Sequence, residues 1–445
     1  MSGRTPLHAA YLQGNLNVAQ ELHSAGASLD ARDTGEATPM HLACCNGHLD
    51  IARWLHSTGA SLDVRDGQKT TPLHDACFNG HLDVAQWLHS AGASLETTDI
   101  EGQTPLHHAC MSGCHLLAQW LRSVGASLEA TDTNGQTPLH RACIEGHLDI
   151  ARWLHSAGAS LDVTNSEEET PLHIACMKGH LDIARWLHST GASLDGTGTS
   201  GATPLHEACQ EGHLDVAQWL HSEGASLDST DNEGSTPLHD ACYCNHLDIV
   251  QWLHSMGASL DTTDDKGETP LHTACSEGAL DIAQWLHSAG ASLEATDIDG
   301  HTPLHRACIE GNPDVAQWLH SAGASLDATE HRGQTLLFLA SRHGHLDIAQ
   351  WLHSVGASLD ATDTRGQAPL HLACSWGHLD LAQWLCSAGA DATLKSNDGS
   401  TPTKLLQNNN RSNPLDQQAL RSTLACLVRR AQAQGPLLCT TVPCM

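Results

Sequence analysis

The sequence predicts an all-α solenoid of stacked repeats, and three observations carry that prediction. The dipeptide Thr-Pro begins at Thr5, Thr38, Thr71, Thr104, Thr137, Thr170, Thr203, Thr236, Thr269 and Thr302, and the series continues at Thr335-Leu336, Ala368-Pro369 and Thr401-Pro402. Every step is 33 residues, with no insertion or deletion, and a fixed period of this length marks a repeat array. Each unit also holds two short stretches of apolar residues at helical spacing, divided by glycine. Finally, whole units recur: TPLHRACIEGHLDIARWLHSAGASLD at 137–162 returns as TPLHRACIEGNPDVAQWLHSAGASLD at 302–327, 165 residues or five periods later.

Each element of the unit has a local cause, seen in the fifth copy. Thr137 is a good N-cap, and Pro138 in the first helical position has no amide to leave unsatisfied. Leu139, Ala142 and Cys143 follow at helical spacing, so one face of a short helix can bury. Gly146 ends that helix. Asp149 falls in the first turn of a second helix, where a carboxylate meets the positive end of the dipole. Gly158 supplies the left-handed residue that stops it. The segment between units is turn-rich, with Gly135 or its equivalent two residues before most Thr-Pro pairs.

A 33-residue unit built on TPLHxA(A/C)xxGH resembles the ankyrin repeat. The resemblance covers residues 1 to about 410, as twelve copies and a thirteenth that starts at Thr401. It implies two antiparallel helices and a finger-like β-turn loop per unit. The expected plan is an array over 1–400, a partial thirteenth repeat with capping helices over 401–434, and a disordered tail over 435–445. A solenoid has one continuous core made by stacking, so a length of 445 residues adds units rather than domains.

The second helix departs from the usual family pattern, carrying WLH where aliphatic residues are typical. Trp54, Trp87, Trp120, Trp153, Trp186, Trp219, Trp252, Trp285, Trp318, Trp351 and Trp384 occupy one position. Trp153, Ile150 and Leu154 form one arc at about 100° per residue. This row fits packing between stacked second helices; an aromatic platform for a ligand is the alternative. Of 17 Cys, ten (Cys44, Cys77, Cys110, Cys143, Cys176, Cys209, Cys242, Cys275, Cys308 and Cys374) fill one small first-helix position. They read as buried thiols in a reducing compartment. Most of the 34 His hold three repeat positions, those of TPLH, GH and WLH, without the i, i+4 spacing of a helical metal site.

The formal net charge is −30, and it divides unevenly. Residues 1–400 hold 16 basic and 50 acidic residues, residues 401–445 five basic and one acidic. Such an array repels nucleic acid and anionic membrane, whose binding would need a basic stripe; it would steer a partner with a basic surface. No phosphate loop, metal cluster or nucleophile with its own base stands out, so neither enzyme activity nor a cofactor is expected. No stretch approaches the ~18 apolar residues of a membrane span, and MSGRTPLH lacks an apolar signal core. A cytoplasmic location is expected, with the nucleus open.

Function should reside where copies differ. The resemblance implies that partner proteins bind the concave face formed by finger tips and the exposed ends of first helices. There the residue after the TPLH His varies, as Asp75, His108, Arg141, Asp240 and Arg306. So does the residue after the Cys, as Phe78, Met111, Ile144, Met177, Tyr243 and Ile309, with Trp376 one residue further on. Asp75 with Phe78 returns as Asp240 with Tyr243, and Arg141 with Ile144 returns as Arg306 with Ile309: a five-repeat block has been copied with its variable face. Duplication history explains this, and two similar surfaces gripping a dimeric or repetitive partner is the sharper reading. The expected function is a protein-interaction scaffold or adaptor. The alternative is a regulatory or targeting subunit of an enzyme, an inhibitor or a ubiquitin-ligase-type substrate adaptor, using the same groove. The oligomeric state is not legible.

Three irregularities complete the reading. The sixth finger is the acidic NSEEE (Asn165 to Glu169), and the seventh is GTSGA in place of an Asp-led turn. Copy eleven, TLLFLASRHG, lacks the Pro and the His and places Phe338 among them: a packing defect, a bend or a contact site. At the ends, Glu21 replaces Trp in copy one, and a helix is expected after Asn413-Pro414, as a cap or a basic docking element.

Overall fold

The computed structural model describes residues 5–29, 31–407 and 418. The expected helix after Asn413-Pro414 and the tail over 435–445 lie outside the described residues. The chain divides into two compact units, residues 1–232 and 233–445. Among the described residues the first holds fourteen helices, from Pro6–Leu12 to Leu214–Ser222, and the second eleven, from Pro237–Tyr243 to Pro402–Gln407. Among the described residues no strand forms.

The fifth repeat shows why the chain folds this way. Thr137 is extended (φ −87°, ψ 167°), and Pro138 opens the helix Pro138–Ile144. His140, three residues on, completes the cap: Thr137 N–H donates to its Nδ1 (3.2 Å), while Thr137 Oγ1 lies 2.9 Å from the same nitrogen. Imidazole thus takes the place of the usual Glu or Gln of a capping box. Gly146 has φ +76°, and a Cβ there would come 2.7 Å from the ring of His180 in the next repeat. Glycine is needed there for conformation and for room. The second helix is Leu148–Ser156, and Gly158 follows at φ 104°.

Leu139, Ala142 and Cys143 from the first helix, with Ile150, Ala151 and Leu154 from the second, are almost completely buried. Each large aliphatic chain contributes about 1.5–3 kcal/mol, and stacking merges these sets into a continuous core within each unit. First helices lie more intimately against their neighbours than second helices do. The wider gap between second helices is where the tryptophans lie. His155 meets Trp186 edge to face at 6.0 Å, and His23–Trp54, His56–Trp87, His287–Trp318 and His320–Trp351 repeat the contact at 5.8 to 6.1 Å. These tryptophans are half-buried, and Trp219 is buried. The Trp row therefore packs between second helices, most rings against the histidine two residues after the Trp position of the preceding repeat; Trp153, whose preceding repeat has Arg122 there, meets His115 instead.

Fingers are built on the Asp that opens them. Asp132 Oδ1 accepts N–H bonds from Asn134 and Gln136, both 2.9 Å, an Asx-type turn. Adjacent fingers are tied by one backbone bond, as Thr133 N–H to Glu101 O (2.8 Å) and Ser166 N–H to Asn134 O (2.9 Å). In the sixth finger Asn165 takes over the Asp role, accepting from Glu167 and Glu169. In the seventh, Gly198 offers no side chain, and Ala202 N–H turns to Ser200 Oγ at 3.2 Å. Copy eleven forms a regular pair, Leu336–His343 and Leu346–Ser354. Phe338 is 1% exposed, so it fills the histidine slot as core and is no contact residue.

Candidate functional site

The two variable rows lie three residues apart on each first helix, and therefore on one face. Phe78, Tyr243 and Trp376 are 49, 59 and 40% exposed. Met111, Ile144, Met177 and Ile309 are half-buried beside their neighbours. The backbone that presents this row is fixed from behind by the GH histidines. His147 Nε2 lies 3.0 Å from Met111 O, His180 from Ile144 O and His213 from Met177 O, each also 3.0 Å; in the second unit His345 lies 2.7 Å from Ile309 O. The carbonyls at a helix C-terminus need such donors. Variable side chains thus stand on a backbone that the next repeat immobilises, which lowers the entropy lost on binding.

The other row is chemically richer than its sequence shows. Arg141 Nη2 pairs with Asp132 Oδ2 at 2.6 Å; His108 Nε2 lies 2.9 Å from Asp99 Oδ2; Arg306 Nη2 pairs with Asp297 Oδ2 at 2.8 Å and also with Glu268. Each of these bases sits nine residues after the Asp that opens the finger. One oxygen of that Asp holds the turn, and the other holds the base. Burial opposes the charge on Asp99 and Asp297, yet hydrogen bonds and interaction with the neighbouring bases (His108 for one; His301 and Arg306 for the other) keep both carboxyls below their usual range. His108, Arg141 and Arg306, read from sequence as contact residues, are thus first engaged within the chain. The partnership corresponds in sequence to a nine-residue spacing between finger Asp and row residue, a signal that helix periodicity does not contain.

Acidic residues in the same row have a different environment. Asp75 makes no side-chain hydrogen bond or ion pair, and burial, with the charge of Asp66 nine residues earlier, pushes its carboxyl up to about 8. Glu207 is pushed up to about 7 by burial and then by Glu169. Asp240 is half-buried in the second unit. Phe78 meets the edge of His108 at 6.0 Å, so Phe78, His108 and Asp99 join in the first unit. In the second unit Trp376 carries the Arg342 guanidinium 5.9 Å from its ring centre.

Chemistry elsewhere is quiet. The ten repeated cysteines are buried, and burial raises the Cys143 and Cys308 thiols far above their ordinary range. Among the described residues no three His, Cys, Asp or Glu side chains converge as metal ligands. No described helix is long and apolar enough to cross a membrane.

A model described as ankyrin repeats, in blocks of three copies, matches residues 7–99, 73–165, 154–231, 191–264, 238–330 and 304–396. Among solved structures, the human ASB11 ankyrin repeat domain is 28% identical; the match covers 50% of this chain and 99% of that one, with a TM-score of 0.45. No curated protein sequence matches the chain. The family-model matches run through nearly the whole array, and on them this chain belongs to the ankyrin-repeat family, whose repeats are protein-interaction modules.

Proposed function

We propose that this chain is a protein-interaction scaffold or adaptor that binds its partner through the variable first-helix rows and the finger tips beside them. One observation carries the reading. On a scaffold whose other positions hardly change, the variable row changes from copy to copy and concentrates Phe78, Met111, Met177, Tyr243 and Trp376, residue types that anchor interfaces. The excess of acid in residues 1–400 favours a partner with a basic surface, drawn in by long-range attraction. The role is recognition rather than turnover, carried out in a soluble compartment.

The test is affinity capture from cell extract with the full chain and with a Phe78→Ala, Met111→Ala, Tyr243→Ala variant, with thermal melts matched by circular dichroism. The variant is expected to lose the captured partner. Undiminished capture by a folded variant would place binding elsewhere, and a catalytic turnover in the purified chain would overturn the reading altogether.

A further inference from the structure

We infer that Asp66, Asp75 and Phe78 form a socket for an arginine side chain supplied by the protein partner. The inference rests on the protein-binding reading above and names the chemistry of one contact within it. Its main support is the chain's own geometry elsewhere. In the fourth, fifth and tenth repeats the residue nine places after the finger Asp is a base, and it lies on that Asp: His108 on Asp99, Arg141 on Asp132, Arg306 on Asp297. Arg306 also reaches Glu268, so one guanidinium bridges two carboxylates of neighbouring fingers. The third repeat has the same backbone and the same finger Asp. Asp66 Oδ1 accepts the Gln68 and Thr70 N–H groups at 2.9 Å, just as Asp132 Oδ1 accepts its two. Only the base is missing: the place of Arg141 is held by Asp75.

Two carboxylates therefore share a position built for a carboxylate and a cation. Asp75 has no partner of its own, and burial with the adjacent Asp66 charge disfavours its ionisation. Arginines of the neighbouring fingers do not fill the gap. Arg32 is spent on the Glu36 and Arg65 carbonyls (2.9 Å each), and Arg65 on Thr98 O at 3.2 Å. One turn along the same helix stands Phe78, half exposed, able to offer its ring face to a cation. A guanidinium suits this arrangement better than an ammonium. Its planar fork spans two carboxylates and stacks on an aromatic ring, whereas lysine acts as a point charge.

The experiment uses the full chain and a displayed library of random twelve-residue peptides, with affinities of the selected peptides read by fluorescence polarisation. The selected peptides should share one arginine, and its replacement by lysine should weaken binding at least fivefold. Asp75→Asn should weaken binding tenfold or more. Asp75→Arg, which supplies the base from within as Arg141 does, should weaken it at least as much while leaving the melting curve intact. Peptides without a shared arginine, or with equal affinity for wild type and both Asp75 variants, would overturn the socket. If those peptides still lose affinity to Met111→Ala and Met177→Ala, the binding face stands and the socket alone fails. Indifference to all four variants sinks both.

Discussion

Acidification should unfold this protein through the histidines of its caps, and His107→Gln should reverse the sign of its own effect with pH. In the TPLH position Nδ1 accepts the backbone N–H of the preceding Thr, as Thr104 N–H does to His107 at 3.1 Å, and in His74, His107 and His140 Nε2 also faces the next finger's carbonyl, Gln136 O at 3.0 Å for His107. That arrangement requires the neutral ring with its proton on Nε2; a second proton would set N–H against N–H. Burial holds His74, His107, His140 and His305 down to about 4, and pushes His41, His173, His272 and His371 the same way. With the folded value below the unfolded 6.5, each ring's contribution is complete above pH 6.5 and drains as pH falls towards 4. At 1.36 kcal/mol per pH unit, each of the four loses about 2 kcal/mol by pH 5. Three of them lie in the first unit, which loses about 6 kcal/mol.

Gln in this position keeps the cap, because its carbonyl accepts the Thr N–H as in an ordinary capping box, and it does not titrate. It gives up the bond to Gln136 O, about 1 kcal/mol. The variant should therefore be less stable than wild type at pH 7.5 by about 1 kcal/mol and more stable at pH 5.0 by a similar margin. Urea unfolding followed by circular dichroism at both pH values measures this. Parallel midpoint shifts, with no crossing, would refute the argument that the neutral ring is a structural requirement.

Other consequences follow from the same geometry. Asp75, whose folded value of about 8 lies above the unfolded 3.8, binds a proton more tightly when folded, so its cost to stability grows as pH rises between those values. Asp75→Asn should gain on wild type from pH 5 to pH 8, by at most about 4 kcal/mol; a gain equal at both pH values would contradict the buried-acid assignment. Arg141→Met leaves the buried Asp132 oxygen without its base and should cost about 1–3 kcal/mol in urea unfolding, with part recovered by adding Asp132→Asn. No recovery would mean that the pair matters only for its packing. Trp219→Ala removes the buried member of the Trp row and should cost about 3–5 kcal/mol, whereas a cost near zero would return the row to the role of an exposed platform.

The fold was legible in this sequence because its causes are local and repeated. Thr-Pro starts, Gly146-type stops and the Leu139, Ala142, Cys143 spacing each specify one short element, and the 33-residue period states that the elements stack. The face that varies was legible for a complementary reason: against a fixed background, Phe78 and Tyr243 differ. What sequence did not disclose lies between repeats. His147 reaches back 36 residues to Met111 O, and His140 reaches forward 29 to Glu169 O; neither follows from helix periodicity. The pairing of Arg141 with Asp132 was hidden because Arg141 was read only as a contact residue of the variable face. Phe338 was left open among three roles, and only its burial in the histidine slot decides it.

Site-specific photo-crosslinking measures most directly whether recognition occurs on the variable face. A benzophenone amino acid placed at Met111, Met177 or Ile309 is expected to give a covalent adduct with the partner in cells, while the same group at Asp50, Asp149 or Leu116 on the second helices is expected to give none. Adducts confined to the second helices, or formed equally at all six positions, would contradict the account.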